Sequence, residues 1–89
     1  MKDIKNLSKL VKNINTTAEI EAFFTELLTE SELETLSKRW RILEMLQEGC
    51  TQREIAKVLQ VSLCKVTRGA KIMKDKNSIL AKYLIKEKI

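Results

Sequence analysis

Residues 51–70 constrain this chain more than any other stretch: Thr-Gln-Arg-Glu-Ile-Ala-Lys-Val-Leu-Gln-Val-Ser-Leu-Cys-Lys-Val-Thr-Arg-Gly-Ala. Thr51 and Glu54 stand at the S/T-x-x-E spacing of a capping box, which predicts a helix starting at Gln52. Ile55, Val58 and Leu59 recur at helical spacing and give that helix an apolar face. Ser62 is a good N-cap for a second helix. That helix would bury Val66 and carry Leu63, Cys64, Lys65, Thr67 and Arg68 around its other faces. Ala56 is small where the two helices would cross, and Val61 plugs the corner. Corners of this kind often hold glycine, and here the residue is Gln60. A left-handed Gln60 costs about 1 kcal/mol.

Two short helices in this arrangement fit a helix-turn-helix, whose second helix enters the major groove of DNA with its first turn against base edges. They also fit a helical hairpin that only packs. Charge bears on the choice. From Asn15 to Glu34 there are six acidic residues and no basic ones, a net of −6. From Thr51 to Lys76 there are seven basic and two acidic residues, a net of +5. The positive charge thus falls on the segment that would meet phosphates. A solvated lysine-rich face is the other reading of the same pattern.

The chain has 89 residues, of which 44% are hydrophobic and 33% charged, with a net charge of +5. That is one domain, residues 1–89, near the size at which a single chain buries a marginal core. It is too apolar to be disordered. No apolar run approaches the length of a membrane span. Lys2, Asp3 and Lys5 precede no continuous hydrophobic segment, so no signal peptide is expected and the chain is expected in the cytoplasm. Cys50 and Cys64 are the only cysteines and histidine is absent. Those ligands do not make an ordinary zinc site, and a nucleophilic cysteine would lack its usual base. With no paired-carboxylate pocket and no glycine-rich phosphate loop either, an enzyme is not expected.

The rest of the sequence reads as helix. Ile4, Leu7, Leu10, Val11 and Ile14 predict an amphipathic helix over 3–14, with Lys2, Lys5, Lys9 and Lys12 facing water or a phosphate. Thr16 with Glu19 fits a second capping box. The helix after it runs to about Leu28 and carries Ile20, Phe23, Phe24, Leu27 and Leu28. Thr29 with Glu32 fits a third box, opening the longest helix, which Gly49 ends. Leu33, Leu36, Trp40, Leu43, Met45 and Leu46 form its expected buried stripe, widened by Ile42. Ser78 can cap a last helix over 78–89 with Ile79, Leu80, Tyr83, Leu84 and Ile85. The expectation is an all-α fold of six helices. The outer helices, about 3–48 and 78–89, carry more apolar surface than so small a core covers. A twofold-related second copy of the chain is the economical partner.

Several runs resemble the tryptophan repressor family of bacterial helix-turn-helix regulators. They are Thr-Gln-Arg-Glu-Ile-Ala at 51–56, Val-Thr-Arg-Gly at 66–69, Leu27-Leu28-Thr29, Lys38-Arg39-Trp40-Arg41-Ile42 and Glu48-Gly49. The resemblance covers roughly residues 24–75. It implies a Trp-repressor-like fold, an intertwined homodimer, and a transcriptional repressor that binds a palindromic operator in double-stranded DNA. It also implies an effector site for L-tryptophan or another small aromatic molecule. Arg39, Arg68 and Gly69 match family positions that sandwich the indole, and Thr29 matches one beside the amino group. Ile72 departs from the pattern, since the family has a serine there that helps hold the amino-acid head group. The chain is also one residue shorter just before Thr51.

On physical grounds the first turn of each helix of the pair points toward a duplex. Gln52 can reach a phosphate, and Arg53 can pair with a guanine edge. Ser62, Leu63, Cys64, Lys65 and Thr67 lie at or near the start of the second helix. Leu63 and Cys64 would touch methyl groups, and Lys65 would donate to a base or phosphate. Lys71, Lys74 and Lys76 would serve phosphates. The alternative from another class is a helical protein-interaction module that keeps the fold without ligand-controlled DNA binding.

Overall fold

The structure is a computed structural model and describes residues 2–87. It contains six α-helices: α1 (Lys2–Lys12), α2 (Thr17–Leu27), α3 (Glu30–Gln47), α4 (Gln52–Leu59), α5 (Leu63–Lys74) and α6 (Ile79–Glu87). No strand forms among the described residues. The all-α, six-helix expectation holds. The first helix ends two residues earlier than expected. The last begins at Ile79, and residues 88 and 89 of the expected 78–89 helix lie outside the described residues.

The boundaries follow from capping chemistry. Thr29 and Thr51 each accept a hydrogen bond at Oγ1 from the backbone N–H three residues on, at 3.1 and 3.2 Å. The glutamate at that third position accepts from the threonine N–H in return, at 2.9 and 3.1 Å. Both boxes are therefore complete, and each satisfies two otherwise orphaned donors. The Thr16 box is only half made. Its hydroxyl accepts from Glu19 N–H and donates to the Glu19 carboxylate instead of leaving that carboxylate to the backbone. Ser62 and Ser78 cap α5 and α6 by accepting from Lys65 N–H and Ala81 N–H. At the other end of α3, Gly49 adopts φ +93°. Cys50 N–H then bonds Met45 O and Gly49 N–H bonds Leu46 O, the two-bond Schellman closure.

The chain divides into two compact units, one up to Glu34 and one from Thr35, with the division inside α3. In the first unit no residue of α1 or α2 is buried. Ile4, Leu10, Val11, Ile20, Phe24 and Leu27 are all exposed. Phe23 and Phe24 meet edge to face, with ring centroids 5.6 Å apart.

The second unit holds the core. Ile42 and Met45 of α3, Ile55 of α4 and Val66 of α5 are buried together. Leu46, Cys50, Ala56, Leu59 and Val61 pack around them. Val61 plugs the corner as expected. Two expectations are corrected. Leu36, assigned to the buried stripe of α3, is 42% exposed, while Leu33 and Trp40 are half-buried and full burial begins at Ile42. Val58, assigned to the apolar face of α4, is 66% exposed. The buried side of α4 is centred on Ile55 with Ala56 and Leu59 beside it, which turns Val58 to the far flank.

Candidate nucleic-acid interface

The α4–α5 pair is a helix-turn-helix. Between the helices, Gln60 takes a left-handed conformation at φ 54°, ψ 49°. The N–H groups of Gln60 and Val61 both close on Ala56 O, so the corner is made in two residues. The sharp corner lets α5 lie across α4 and present its own first turn outward.

α5 is two-sided. Val66, Gly69 and Ala70 are buried, while Leu63, Cys64, Lys65, Thr67 and Arg68 are exposed. The capping residue Ser62 is exposed as well. No acidic side chain occupies the first turn of α5, and Lys71 and Lys74 lie exposed in its last. Arg53 projects from the first turn of α4, and Gln52 beside it is half-buried. The two helices are tied across this surface, because Thr67 Oγ1 lies 3.1 Å from Gln52 Oε1. The residues expected to meet DNA therefore sit on α4, on α5 or at the cap between them, except Lys76, which lies in the turn after α5. Lys57, counted above only in the net charge, is also exposed near the end of α4.

Electrostatics reinforce the first turn of α4. Glu54 is held below the ordinary glutamate range by hydrogen bonds from Thr51, the side chain contributing most and the backbone N–H next. Glu32 is lowered in the same way at the start of α3, there chiefly by the Thr29 backbone N–H. Both carboxylates are thereby committed to helix ends.

The residues implied for an effector are placed as follows. Arg39 is exposed on α3 and Arg68 is exposed on α5. Gly69 is buried where α5 meets α3, and a Cβ built on it would lie 2.8 Å from Ile42 Cγ2. Arg39 precedes Ile42 by three residues in α3, and Arg68 immediately precedes Gly69 in α5. Ile72, a turn beyond Gly69, is half-buried. Thr29 belongs to the N-terminal unit, where its N–H and Oγ1 are engaged by Glu32. Arg41, close by in sequence, is paired with Glu44 of its own helix at 3.6 Å and with Glu48 just past the end of that helix at 3.2 Å. Both cysteines are free thiols, Cys50 half-buried and Cys64 exposed. Among the described residues no helix is long and apolar enough to cross a membrane.

Comparison with known proteins agrees with this geometry. The family model described as Trp repressor protein matches residues 2–88. A Trp operon repressor homolog of Xylella fastidiosa is 39% identical over 72 residues, 80% of this chain and 78% of that protein. Another from Vibrio campbellii is 32% identical over 77 residues, covering 85% and 77% of the two chains. A third from Chlamydia caviae is 37% identical over 67 residues, covering 74% and 66%. No solved structure gives a significant match. A match through nearly the whole chain, on a helix-turn-helix that exposes the first turn of its second helix, places the chain in the Trp repressor family, a family of DNA-binding transcriptional repressors and not of enzymes.

Proposed function

We propose that the chain works as a homodimer that binds a palindromic operator in double-stranded DNA, with α5 of each copy in a major groove. One observation carries this reading. α5 is anchored on one side by Val66, Gly69 and Ala70 while Leu63, Cys64 and Lys65 of its first turn stay exposed. That is the division a reading helix needs, one face for the protein and one for base edges. Arg53 supplies a bidentate partner for guanine. Gln52, Ser62, Lys65, Thr67, Lys71 and Lys74 supply donors to phosphates and bases, and Leu63 and Cys64 supply apolar contacts.

A second copy is supported by the outer helices. Ile4, Leu10, Phe24 and Leu27 of α1 and α2, and Ile79, Leu80 and Tyr83 of α6, lie exposed in the single chain. Two reading helices held about 34 Å apart meet successive major grooves on one side of the duplex. The work of such a regulator is in the cytoplasm. The effector is L-tryptophan or another small aromatic molecule, stacked between the guanidinium planes of Arg39 and Arg68. Wedged at the α3–α5 crossing, it would set the angle of α5 and shift the population toward the DNA-competent form.

Selection of bound duplexes from random DNA, with and without added amino acids, tests the reading as a whole. The expected product is a sequence with twofold symmetry whose affinity falls with salt by about 0.9 log units per log unit of salt for each phosphate contacted. Enrichment of no sequence, or of a single unrepeated half-site, would contradict it. Failure to bind duplex at low salt would favour the protein-interaction module instead.

A further inference from the structure

α1 carries two stripes on opposite sides. Lys2, Lys5, Lys9 and Lys12 follow one another at three- and four-residue steps, so they line one face of the helix. Ile4, Leu7, Leu10 and Val11 line the other. All four lysines are exposed. Among the described residues none of them is in an ion pair, although the acidic run from Glu19 to Glu34 lies in the same compact unit. At this spacing opposite charges stabilise a helix and like charges oppose one another. Lys9 and Lys12 suit the C-terminal end of the helix dipole, but Lys2 and Lys5 stand near the N-terminus, where the dipole favours acids. Asp3 is the one acidic residue of α1. Four unpaired charges of one sign in line therefore weaken α1 on its own, and an external polyanion would offset that.

We propose that α1 is a second phosphate-binding element: Lys2, Lys5, Lys9 and Lys12 hold the sugar–phosphate backbone of duplex DNA without reading its sequence. The proposal rests on the duplex-binding reading given above and adds an element which that reading does not use. The stripe runs over about 15 Å, and over that length one DNA strand carries about four phosphates. Lysine meets a phosphate as a point charge. The chain belongs to a family of DNA-binding repressors, so duplex is the polyanion it already meets. α1 has no aromatic side chain on which the bases of a single strand could stack. An anionic membrane would take up the apolar stripe as well as the lysines. A duplex needs the lysines alone and leaves Ile4, Leu7, Leu10 and Val11 to pack on protein.

The test compares the full wild-type chain with a variant carrying Lys2→Gln, Lys5→Gln, Lys9→Gln and Lys12→Gln. Glutamine is close to lysine in helix propensity, so α1 is kept. Affinity is measured across salt on one selected duplex and on one random duplex. The slope of log affinity against log salt should become shallower by about 0.9 for each phosphate contact removed. The loss should be equal on both duplexes, and arginine at the same four positions should restore binding. An unchanged slope, or a loss confined to the selected duplex, would overturn the proposal. A second readout uses the wild-type chain. Bound duplex should protect the α1 lysines from acetylation by a small amine-reactive reagent, and vesicles of anionic lipid should not. Lysines that stay equally reactive with duplex bound would reduce any change of slope to an effect of net charge, and the proposal would fall. Protection by vesicles in place of duplex would assign α1 to a membrane surface instead. If the wild-type chain binds neither duplex, the DNA-binding reading itself falls and takes this proposal with it. If it binds both and the four lysines change nothing, only this proposal falls.

Discussion

A Cβ on Gly69 would lie 2.8 Å from Cγ2 of Ile42, closer than two carbons can approach. Ile42 is buried at 2% exposure and β-branched, so its methyl cannot swing away cheaply. Leu43 Cδ2 and Leu46 Cδ1 close the same space at 3.4 and 3.5 Å. Gly69 is therefore the contact through which α5 settles on α3. In a helix interior alanine is about 1 kcal/mol better than glycine. Overpacking costs about 1–3 kcal/mol. Gly69→Ala should lower the unfolding free energy by about 1 kcal/mol in ligand-free protein, read by urea denaturation. A variant more stable than wild type would show that the crossing is loose.

Gln60 presents the opposite case. Its φ of 54° is left-handed, a conformation that costs a side-chain-bearing residue roughly 1–2 kcal/mol. Glycine removes that strain but adds freedom to the unfolded chain. Gln60→Gly should raise stability by about 0.5–1 kcal/mol with no change in DNA affinity, because Gln60 only shapes the corner. Unchanged or lowered stability would mean that the Gln60 side chain stabilises the turn by some other contact.

The pattern of polar caps made much of this fold legible. Thr29, Thr51, Ser62 and Ser78 each mark a helix start in the sequence, and each accepts the expected backbone N–H in the structure. Caps are local, so sequence spacing alone can find them. Burial is not local. Val58 and Leu36 have the right spacing for buried faces, yet which flank is covered depends on where α5 crosses, and nothing near either residue encodes that. The Thr67–Gln52 pair was hidden for the same reason. Both residues were legible as candidates for DNA contact, but their bond spans the corner and needs the corner's geometry. Gly69 and Ile42 were each legible, one through the family resemblance and the other in the apolar stripe of α3, but not their contact, which depends on how α5 crosses α3.

The capping boxes carry a pH signature. Hydrogen bonds from Thr51 lower the pKa of Glu54 below the ordinary value of 4.5. A group whose folded pKa is depressed adds stability that is complete above its unfolded pKa and is lost as pH falls through the folded one. Glu54→Gln keeps the reciprocal box but cannot titrate. The wild-type advantage over Glu54→Gln, measured by thermal melts, should therefore shrink as pH drops below about 4.5. A difference that stays constant from neutral pH down past that range would show that the carboxylate charge adds nothing at this cap.

Arg53 carries the clearest specificity prediction. It is exposed in the first turn of α4, and a guanidinium is matched to the two acceptors of a guanine edge. Arg53→Ala should weaken binding to the selected operator by about 1–3 kcal/mol and relax the preference at one base pair. Binding to random duplex should change far less. Equal loss on both would mean that Arg53 touches only the backbone.

Ile72 decides how the effector proposal can be tested. It stands one turn beyond Gly69, half-buried, where the family pattern has a serine. Arg39 and Arg68 can still stack on an aromatic ring, but an isoleucine offers no hydrogen bond to an amino-acid head group and its bulk narrows the space. A site that leaves a polar group unpaired loses far more affinity than one missing a methyl. Ile72→Ser should therefore bind L-tryptophan more tightly than wild type. Ligand that binds only the folded state raises stability by RT ln(1 + [L]/Kd), about 1.4 kcal/mol at ten times Kd. At about millimolar tryptophan the serine variant should show the larger rise in melting temperature, and adding Arg68→Ala should abolish it. If the serine variant gains no tryptophan response, or keeps it without Arg68, then the ring is not held between Arg39 and Arg68 and α5 is not set by this ligand.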